Sequence, residues 1–363
     1  MRLDADFWAG RRVLVTGHTG FKGAWLTLWL SSLGAEVVGL ARSPAQELSA
    51  FTIFGAGADA ESLEVDLVDR AAVTAAVRDA DPEVLIHLAA QPFVQRSFRD
   101  PYATWEVNVL GTLNVLEASR GADRLQAAIM VTSDRSYDDR GGPAFRPLVE
   151  TDPLGGQDPY ASSKAAAELA VNAWRASFFE RDPGGPQVAT ARTGNVIGGG
   201  DWGESRLIPD IVRAAERGEP ISVRNPEAVR AWQHVLAPLA GYLTLAQKLA
   251  DGPGFDEAWN FGPPLDDARS VRWITERVSE LWPEPLDWQL DASPYPPEAL
   301  RAALDSAKAR RRLAWRSPWA LDEALRRTVE WHVGLRDGAD MRALTLAQIE
   351  AFTEAAAGAP GPA

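Results

Sequence analysis

Residues 12–23 read Arg12-Val13-Leu14-Val15-Thr16-Gly17-His18-Thr19-Gly20-Phe21-Lys22-Gly23. The first five residues predict a short strand, and a helical pattern at 24–33 follows the glycines. Glycines three residues apart let a strand turn sharply into a helix and let the backbone approach a pyrophosphate at the helix N-terminus. The spacing is one residue wider than the G-x-G-x-x-G form. We therefore predict a dinucleotide-binding turn rather than a plain tight turn.

Strand and helix patterns continue to alternate as far as residue 193. Further strands are predicted at 36–40, 63–66, 84–88, 127–131 and 187–191. Helices are predicted between them at 69–78, 101–120 and 160–179. This alternation is typical of an α/β fold with a doubly wound, Rossmann-type parallel sheet. Residues 1–193 are therefore expected to form a dinucleotide-binding domain.

The pattern changes after residue 193, where helical segments dominate. Helices are predicted at 207–217, 235–249, 271–281, 306–313 and 321–332. We expect 194–340 to form a smaller, mostly helical C-terminal substrate lobe over the carboxyl ends of the strands. Residues 258–262 are a candidate for a strand that returns to the large sheet. Residues 355–363, rich in Ala, Gly and Pro, are predicted to be disordered.

Composition excludes several classes of function. A net charge of -13 over 363 residues argues against nucleic acid as a partner. The absence of cysteine excludes disulfides, thiolate metal sites and a cysteine nucleophile. The four histidines form no H-x-x-x-H pair, so no metal is expected. No apolar run approaches the roughly 18 residues of a membrane span, and the expectation is a soluble, cytoplasmic protein without a membrane partner.

Residues 158–164 read Asp158-Pro159-Tyr160-Ala161-Ser162-Ser163-Lys164 and predict a helix start. Side chains at i and i+4 share a helix face, so Tyr160 and Lys164 can reach one pocket. Tyrosine titrates near pH ~10, so acting as a base at neutrality requires a pKa lower by about 3, or roughly 4 kcal/mol. One cation at about 4 Å supplies on the order of 4 kcal/mol at an effective dielectric of ~20. Taken alone, the segment fits a helix start with an exposed Tyr and Lys better, but the glycine turn favours a catalytic pair.

The glycine turn, the Tyr-x-x-x-Lys pair and the strand order together resemble the extended short-chain dehydrogenase/reductase family, in its sugar-nucleotide dehydratase and epimerase group. The likeness spans about 10–335. It is most specific in six segments: 16–23, 87–92, 132–134, 152–156, 194–202 and 232–235.

The resemblance implies a 4,6-dehydratase with CDP-glucose as the expected substrate. Its cycle is oxidation at carbon 4, loss of water across carbons 5 and 6, and return of the hydride to carbon 6. Tyr160, supported by Lys164, would remove the 4-hydroxyl proton, and Ser133 (or Thr132) would hydrogen-bond the 4-oxygen. Asp134 would be the acid, which requires a raised pKa.

The chain departs from the family at three positions. Arg135 replaces the lysine that is the expected carbon-5 base, and a guanidinium keeps its proton at any ordinary pH. Arg135 could still stabilise the enolate electrostatically, which leaves proton removal to water, to the tyrosinate or to another group. The alternative is that elimination is lost and only oxidation/reduction or epimerisation remains. Gln95 replaces a family arginine, with Arg96 one place on. Arg42 follows the second strand, where an acidic residue would select NAD, and tolerates a 2′-phosphate. The pattern alone slightly favours NADP, whereas the resemblance indicates NAD, and NAD is the expected cofactor, with NADP not excluded.

The binding residues implied by the resemblance fall into two groups. For the cofactor they are Gly17, Thr19, Gly20, Phe21, Lys22, Gly23, Asp66, Leu67, Ala89, Ala90, Gln91, Asn108, Thr132, Tyr160 and Lys164. For the sugar-nucleotide they are Asn195, Arg206 and Arg230. Arginine suits a diphosphate because it can bind two oxygens at once. Trp202 and Trp232 fit packing better than stacking on a pyrimidine.

Other functions stay open at this stage. A 4-epimerase or 4-ketoreductase on a related sugar nucleotide needs no carboxyl at Asp134. A protein that binds NAD(P) as a sensor, without chemistry, has no use for an activated phenol. The resemblance also implies a homodimer formed through the helices at 101–120 and 160–179.

Overall fold

The computed structural model describes residues 3–44, 48–138, 146–182, 184–291 and 301–358. The strands, in chain order, are β1 (Arg12–Thr16), β2 (Glu36–Ala41), β3 (Ala60–Glu64), β4 (Val84–His87), β5 (Ala127–Val131), β6 (Gln187–Thr193), β7 (Asn195–Ile197), β8 (Ile221–Val223), β9 (Val229–His234), β10 (Ala258–Phe261), β11 (Ala268–Ser270), β12 (Trp288–Leu290) and β13 (Arg301–Ala302). The α-helices are α1 (Ala5–Trp8), α2 (Phe21–Ser32), α3 (Ala50–Ile53), α4 (Arg70–Ala80), α5 (Val94–Arg99), α6 (Pro101–Trp105), α7 (Gly111–Ser119), α8 (Pro159–Trp174), α9 (Leu207–Arg217), α10 (Leu236–Asp251), α11 (Val271–Leu281), α12 (Ala307–Arg312), α13 (Leu321–Arg336) and α14 (Met341–Gly358). Two π-helical turns (Glu106–Leu110 and Arg175–Phe179) and three 3-10 turns (Ala56–Asp59, Asp134–Ser136 and Leu265–Asp267) complete these elements.

Seven parallel strands form the large sheet in the order β10-β6-β5-β4-β1-β2-β3. The predicted doubly wound parallel sheet is therefore confirmed. β10 pairs with β6, so the candidate returning strand at 258–262 does join the sheet. β3 begins at Ala60, three residues before the predicted start at residue 63. The prediction missed this start because β3 is an edge strand with mostly exposed side chains, and no apolar run marks it.

Side chains of the central strands alternate between two cores, one on each face of the sheet. Val13 and Val15 belong to the core that includes α2 and α10. Leu14, on the same strand, belongs to the core that includes α4 and α7. The burial of both faces explains why β1, β4 and β5 are continuous apolar runs.

The glycine turn connects β1 to α2 with the tight geometry that the sequence predicts. Gly17 has a φ of +75°, in the left-handed region that favours glycine. A Cβ added to Gly23 would lie 2.1 Å from the carbonyl oxygen of Gly17. Helix α2 is buried on nearly all sides, with Trp25 and Trp29 in the core. The turn is therefore held in place by the helix that it begins.

The C-terminal part differs from the predicted lobe. It contains a four-stranded sheet in which β9 pairs with β7, β11 and β13, and a separate two-stranded sheet of β8 and β12. Helices α9, α11 and α13 share a third core with some of these strands. Helix α10 belongs to the core of the large sheet instead, so the expectation that it lies in the lobe is wrong. Its side chains are apolar and buried around most of the helix, which fits a position against the sheet.

The prediction of a disordered tail at 355–363 is wrong for residues 355–358. These residues continue α14, and Ala356 is buried. Alanine has the highest helix propensity, so the Ala-rich composition favours helix here. Residues 359–363 lie outside the described part of the chain.

We expect Gly23→Ala to lower the free energy of unfolding by about 1–3 kcal/mol, the usual range for overpacking, since the added Cβ meets backbone atoms that cannot move away. Gly184→Ala is the matched control, because its Cβ would meet nothing within 4 Å. Urea unfolding followed by circular dichroism measures both. Equal stabilities of the two variants would contradict the tight packing of the turn.

Candidate active site

A cleft of about 920 Å³ lies where the turns after β1, β4, β5 and β6 meet the C-terminal part. It is lined by the predicted catalytic residues Ser133, Asp134, Arg135, Tyr160 and Lys164, by the predicted substrate residues Asn195, Arg206 and Arg230, and by every predicted cofactor residue except Asn108. Residues predicted from segments far apart in sequence thus come together at one site.

Asn108 lies behind the cleft. It is buried in the first π-helical turn, and its side-chain oxygen accepts a hydrogen bond of 2.8 Å from the Gln91 backbone N–H. Its amide donates to the Gln91 carbonyl at 3.1 Å and to Ser163 Oγ at 2.9 Å. The prediction that Asn108 lines the cofactor site is therefore not met. The residue holds a cleft segment against α8.

Helix α8 begins with a strong local signal and carries both members of the predicted pair. Asp158 caps the helix by accepting a hydrogen bond of 2.7 Å from the Ala161 N–H, and Pro159 occupies the first turn. Tyr160 is 8% exposed and Lys164 is 6% exposed, so both side chains are removed from bulk water.

The electrostatics of Tyr160 differ from the prediction. Burial raises the pKa of Tyr160, and the nearby charge of Asp134 acts in the same direction. Ser133 and the guanidinium groups of Arg206 and Arg135 lower the pKa but do not overcome burial. The hypothesis that Lys164 alone makes the phenol a usable base is therefore not supported. Burial also lowers the pKa of Lys164 itself, to about 8.

Asp134 lies on the short turn that follows β5. Ser133 Oγ donates a hydrogen bond of 3.0 Å to Asp134 Oδ1. Burial raises the pKa of Asp134, whereas Arg135, Ser133, Arg230 and Lys22 lower it. The net increase is the direction that a carboxylic acid needs if it is to carry a proton near neutral pH.

Arg135 does not stand free in the cleft. Its Nη2 lies 2.7 Å from Oδ2 of Asp158, the residue that caps α8. The Asp158 carboxylate thus joins the turn after β5 to the start of the helix that carries Tyr160. Arg135, at the position where the family has a lysine, therefore forms a charged contact with the residue that caps the helix of Tyr160.

Glu168, one helical turn after Lys164, is fully buried between α8 and the sheet. Its carboxylate accepts hydrogen bonds from Thr132 and, at 2.9 Å, from Thr190. Arg192 donates two more, from Nε at 2.9 Å and from Nη2 at 2.7 Å. Glu168 also raises the pKa of Lys164 against the larger effect of burial. Glu168 therefore holds the strand end beside Ser133 in place and favours the charged form of Lys164.

Lys22 extends from the glycine turn into the cleft. Burial lowers its pKa to about 7; the cations Arg206 and Lys164 act in the same direction, and Asp134 and Asp201 oppose them. Within the described part of the chain, Lys22 forms no ion pair. Its side chain is the second lysine amine in the cleft, besides Lys164.

The substrate end of the cleft contains the predicted arginines in different settings. Arg206 Nη1 lies 2.9 Å from Asp201 Oδ2, so this guanidinium is already paired. Arg230 is 8% exposed and acts on the charge of Asp134. Trp202 and Trp232 line the cleft but belong to the third core, in agreement with the packing interpretation.

Sequence reasoning missed Glu168, Arg192 and Asp201. Glu168 could have been found, because it continues the i, i+4 series that begins with Tyr160 and Lys164. Arg192 and Asp201 come from a strand and a loop with no periodic signal. Only the assembled fold shows that Arg192 pairs with Glu168 and that Asp201 pairs with Arg206.

The described residues contain no group of three or more side chains suited to hold a metal ion. None of the helices that the structure describes is long and apolar enough to cross a membrane.

Comparison with known proteins assigns the chain to a family. The model of the "NAD dependent epimerase/dehydratase family" matches residues 13–262. The chain belongs to this family. The family description names NAD, which confirms the predicted cofactor.

Three relatives illustrate the range of the likeness. A CDP-glucose 4,6-dehydratase of Salmonella typhimurium is 42% identical over 358 residues, covering 97% of this chain and 99% of its own. A dTDP-glucose 4,6-dehydratase of Xanthomonas campestris is 28% identical, covering 88% of this chain and 92% of its own. The structure of Thermus thermophilus UDP-glucose 4-epimerase in complex with NAD superposes with a TM-score of 0.73 at 26% identity, covering 89% of this chain and 99% of that one. The predicted family resemblance is confirmed.

We expect Glu168→Gln to lower the free energy of unfolding by about 3–5 kcal/mol, because it leaves the buried Arg192 charge uncompensated. Glu330→Gln is the matched control on the surface of α13, where losing an ion pair costs about 0–1 kcal/mol. Urea titration of the two variants measures the difference. A Glu168→Gln protein as stable as the control would contradict the role of this carboxylate.

Proposed function

We propose that the protein is a sugar-nucleotide 4,6-dehydratase that converts CDP-glucose to CDP-4-keto-6-deoxyglucose. The observation that carries the proposal is a half-buried carboxyl group, Asp134, whose pKa is raised and which lines the same cleft as Tyr160. An eliminating enzyme needs an acid for the departing hydroxyl, whereas an epimerase or ketoreductase does not. The 42% identity to a CDP-glucose 4,6-dehydratase supports the same choice and the nucleotide.

The residues at one end of the cleft fit NAD. Gly20 caps α2 without a side-chain hydrogen bond, so the first N–H groups of this helix are open to an anion. The turn around Gly17 and Gly23 leaves no room for further side chains, and the backbone can approach a pyrophosphate closely. Asp66 and Leu67 line the cleft beyond β3 and would hold the adenosine part. NAD, when bound, supplies a hydride acceptor and a positive charge.

Tyr160 is proposed to remove the proton from the 4-hydroxyl of the sugar. Ser133 interacts with both Tyr160 and Asp134, so it is placed to hydrogen-bond the 4-oxygen during this transfer. Because burial raises the pKa of Tyr160, the phenolate depends on nearby positive charge. Arg206, Arg135 and a cationic ligand together would supply it.

Asp134 is proposed to protonate the departing 6-hydroxyl. Its raised pKa favours the protonated form, and its carboxyl group accepts a hydrogen bond from the Ser133 hydroxyl. Arg135 cannot be the carbon-5 base, since it is a guanidinium in an ion pair with Asp158.

The diphosphate of the substrate is proposed to bind near Arg206 and Arg230, with Asn195 beside them. All three side chains line the cleft. Pairing with Asp201 orients the Arg206 guanidinium while leaving it part exposed, at 35%. A pre-oriented guanidinium loses less side-chain entropy when it binds phosphate oxygens.

Incubation of the purified protein with NAD and CDP-glucose in deuterated water, followed by mass spectrometry, tests the function. The expected product has lost one water and carries one deuterium at carbon 5, because the proton that is returned there comes from solvent. Isomerisation without loss of water would move the protein to the 4-epimerases. The absence of any change in the sugar would favour a protein that only binds NAD(P).

We expect Asp134→Asn to lower the rate of water loss by about 100- to 10,000-fold, the usual contribution of a general acid, while 4-oxidation and CDP-glucose binding persist. Tyr160→Phe should lose oxidation as well, because no base remains for the 4-hydroxyl. Rapid-quench mass spectrometry and the absorbance of reduced nicotinamide separate the two steps. Unchanged water loss by Asp134→Asn would remove this residue from its role.

The assembly state also stays a proposal, and a homodimer is the form that the surface supports. Large apolar side chains are exposed on the adjacent helices α6 and α8 and on their π-helical extensions. These are Tyr102 at 75%, Trp105 at 42%, Leu110 at 50%, Leu169 at 59% and Phe178 at 38%. Exposed apolar groups concentrated on neighbouring helices favour an interface between copies. The cytoplasmic location stays a prediction.

We expect Leu169→Asp to convert the dimer to a monomer in sedimentation velocity, because a charge would be buried in the apolar interface. Leu290→Asp is the control, since Leu290 is 62% exposed on β12, away from these helices. A wild-type monomer, or a dimer that tolerates Leu169→Asp, would contradict the proposed interface.

A further inference from the structure

Dehydration, if the proposed function is right, requires a base for the hydrogen at carbon 5. The cleft offers few groups for this step. Arg135 keeps its proton and is paired with Asp158 at 2.7 Å. Glu168 is fully buried beneath hydrogen bonds from Thr132, Thr190 and Arg192. The cations around Asp134 include a further candidate for this base.

The charged groups that act on Asp134 are candidates for the carbon-5 base. Arg135, Arg230 and Lys22 are cations that act on this carboxyl group, and all three line the same cleft as Asp134. The two guanidinium groups stay protonated under ordinary conditions, whereas an amine that is removed from water can lose its proton. Lys22 also lies near Lys164 and Arg206, which places its amine at the catalytic end of the cleft.

We propose that Lys22 is the base that removes the proton from carbon 5 of the 4-keto sugar and later supplies the proton, exchanged with solvent, that is added there. Position 22 then has two functions. Its backbone belongs to the glycine turn that approaches the cofactor, and its side chain acts on the substrate. Arg135 contributes positive charge and positions α8 through Asp158.

The surroundings of Lys22 favour the neutral amine. Burial is the largest cause that lowers its pKa, Arg206 and Lys164 act in the same direction, Asp134 and Asp201 oppose them, and the resulting pKa is about 7. A base with a pKa close to the working pH is the most effective one. Because the neutral form is required, elimination should slow as the pH falls below this value.

The step balances without a further reactant. The Lys22 amine takes the proton from carbon 5 and becomes an ammonium. The electron pair of that C–H bond forms the double bond between carbons 5 and 6. The bond between carbon 6 and its oxygen breaks, and the oxygen takes the Asp134 proton and leaves as water. The ammonium of Lys22 returns its proton to carbon 5 when the double bond is reduced.

Two substitutions at this position separate a base from a positive charge. Lys22→Arg keeps the charge but cannot accept a proton near neutral pH, and Lys22→Met removes both. With NAD at saturation and CDP-glucose as substrate, we expect both variants to release water about 100- to 10,000-fold more slowly than wild type. Both should still form reduced nicotinamide, which accumulates because the next step is blocked. Lys248→Arg, at the surface, should behave like wild type.

The possible results lead to different conclusions. Lys22→Arg with wild-type water loss would show that position 22 supplies only charge. Lys22→Met that recovers full water loss at high NAD would show that it only binds the cofactor. Either result overturns the proposal and leaves the dehydratase function intact. A wild-type protein that forms reduced nicotinamide but never releases water would contradict the proposed function itself, and with it this role.

Discussion

The buried carboxylate of Glu168 is the interaction on which the site depends. It binds Arg192 on β6 with two hydrogen bonds, binds Thr132 at the end of β5, and lies one turn from Lys164 on α8. A charge in this position must be fully compensated, because an unpaired buried ion would cost several kcal/mol, roughly 3–5 when one partner of a buried pair is removed. The requirement for compensation fixes the distance between the sheet and α8. Ser133, Asp134 and Tyr160 meet because those two elements cannot move apart.

Burial shifts the pKa values of the groups in the cleft, and the shifts have different effects on the steps of the reaction. It raises the pKa of Asp134 and lowers the pKa of Lys22, so it favours a protonated acid and a neutral amine. The same effect works against Tyr160, whose phenolate form it disfavours. The elimination step is therefore supported by burial, and the oxidation step needs positive charge from Arg135, Arg206 and a cationic ligand. Burial therefore favours the elimination step and disfavours the oxidation step at the same site.

Local sequence signals predicted the features that depend on local geometry. The β1–α2 glycine turn, the start of α8 and the buried strands follow from residue type and spacing, and the structure shows each of them. Features set by distant contacts were missed or misplaced. The edge strand β3 lacks an apolar run, and α10 packs on the large sheet because of its buried surroundings. The pairing of Arg135 with Asp158, and the effect of burial on Tyr160, appear only when the folded environment of each group is known.

In the proposed reaction, oxidation at carbon 4 and water loss occur in one cleft on one bound molecule. CDP-glucose labelled with deuterium at carbon 4 tests this arrangement, with the product analysed by nuclear magnetic resonance. We expect a 6-deoxy product in which the deuterium from carbon 4 is found at carbon 6 of the same molecule. Deuterium that remains at carbon 4 of an epimerised sugar, or that is lost from the product, would contradict it.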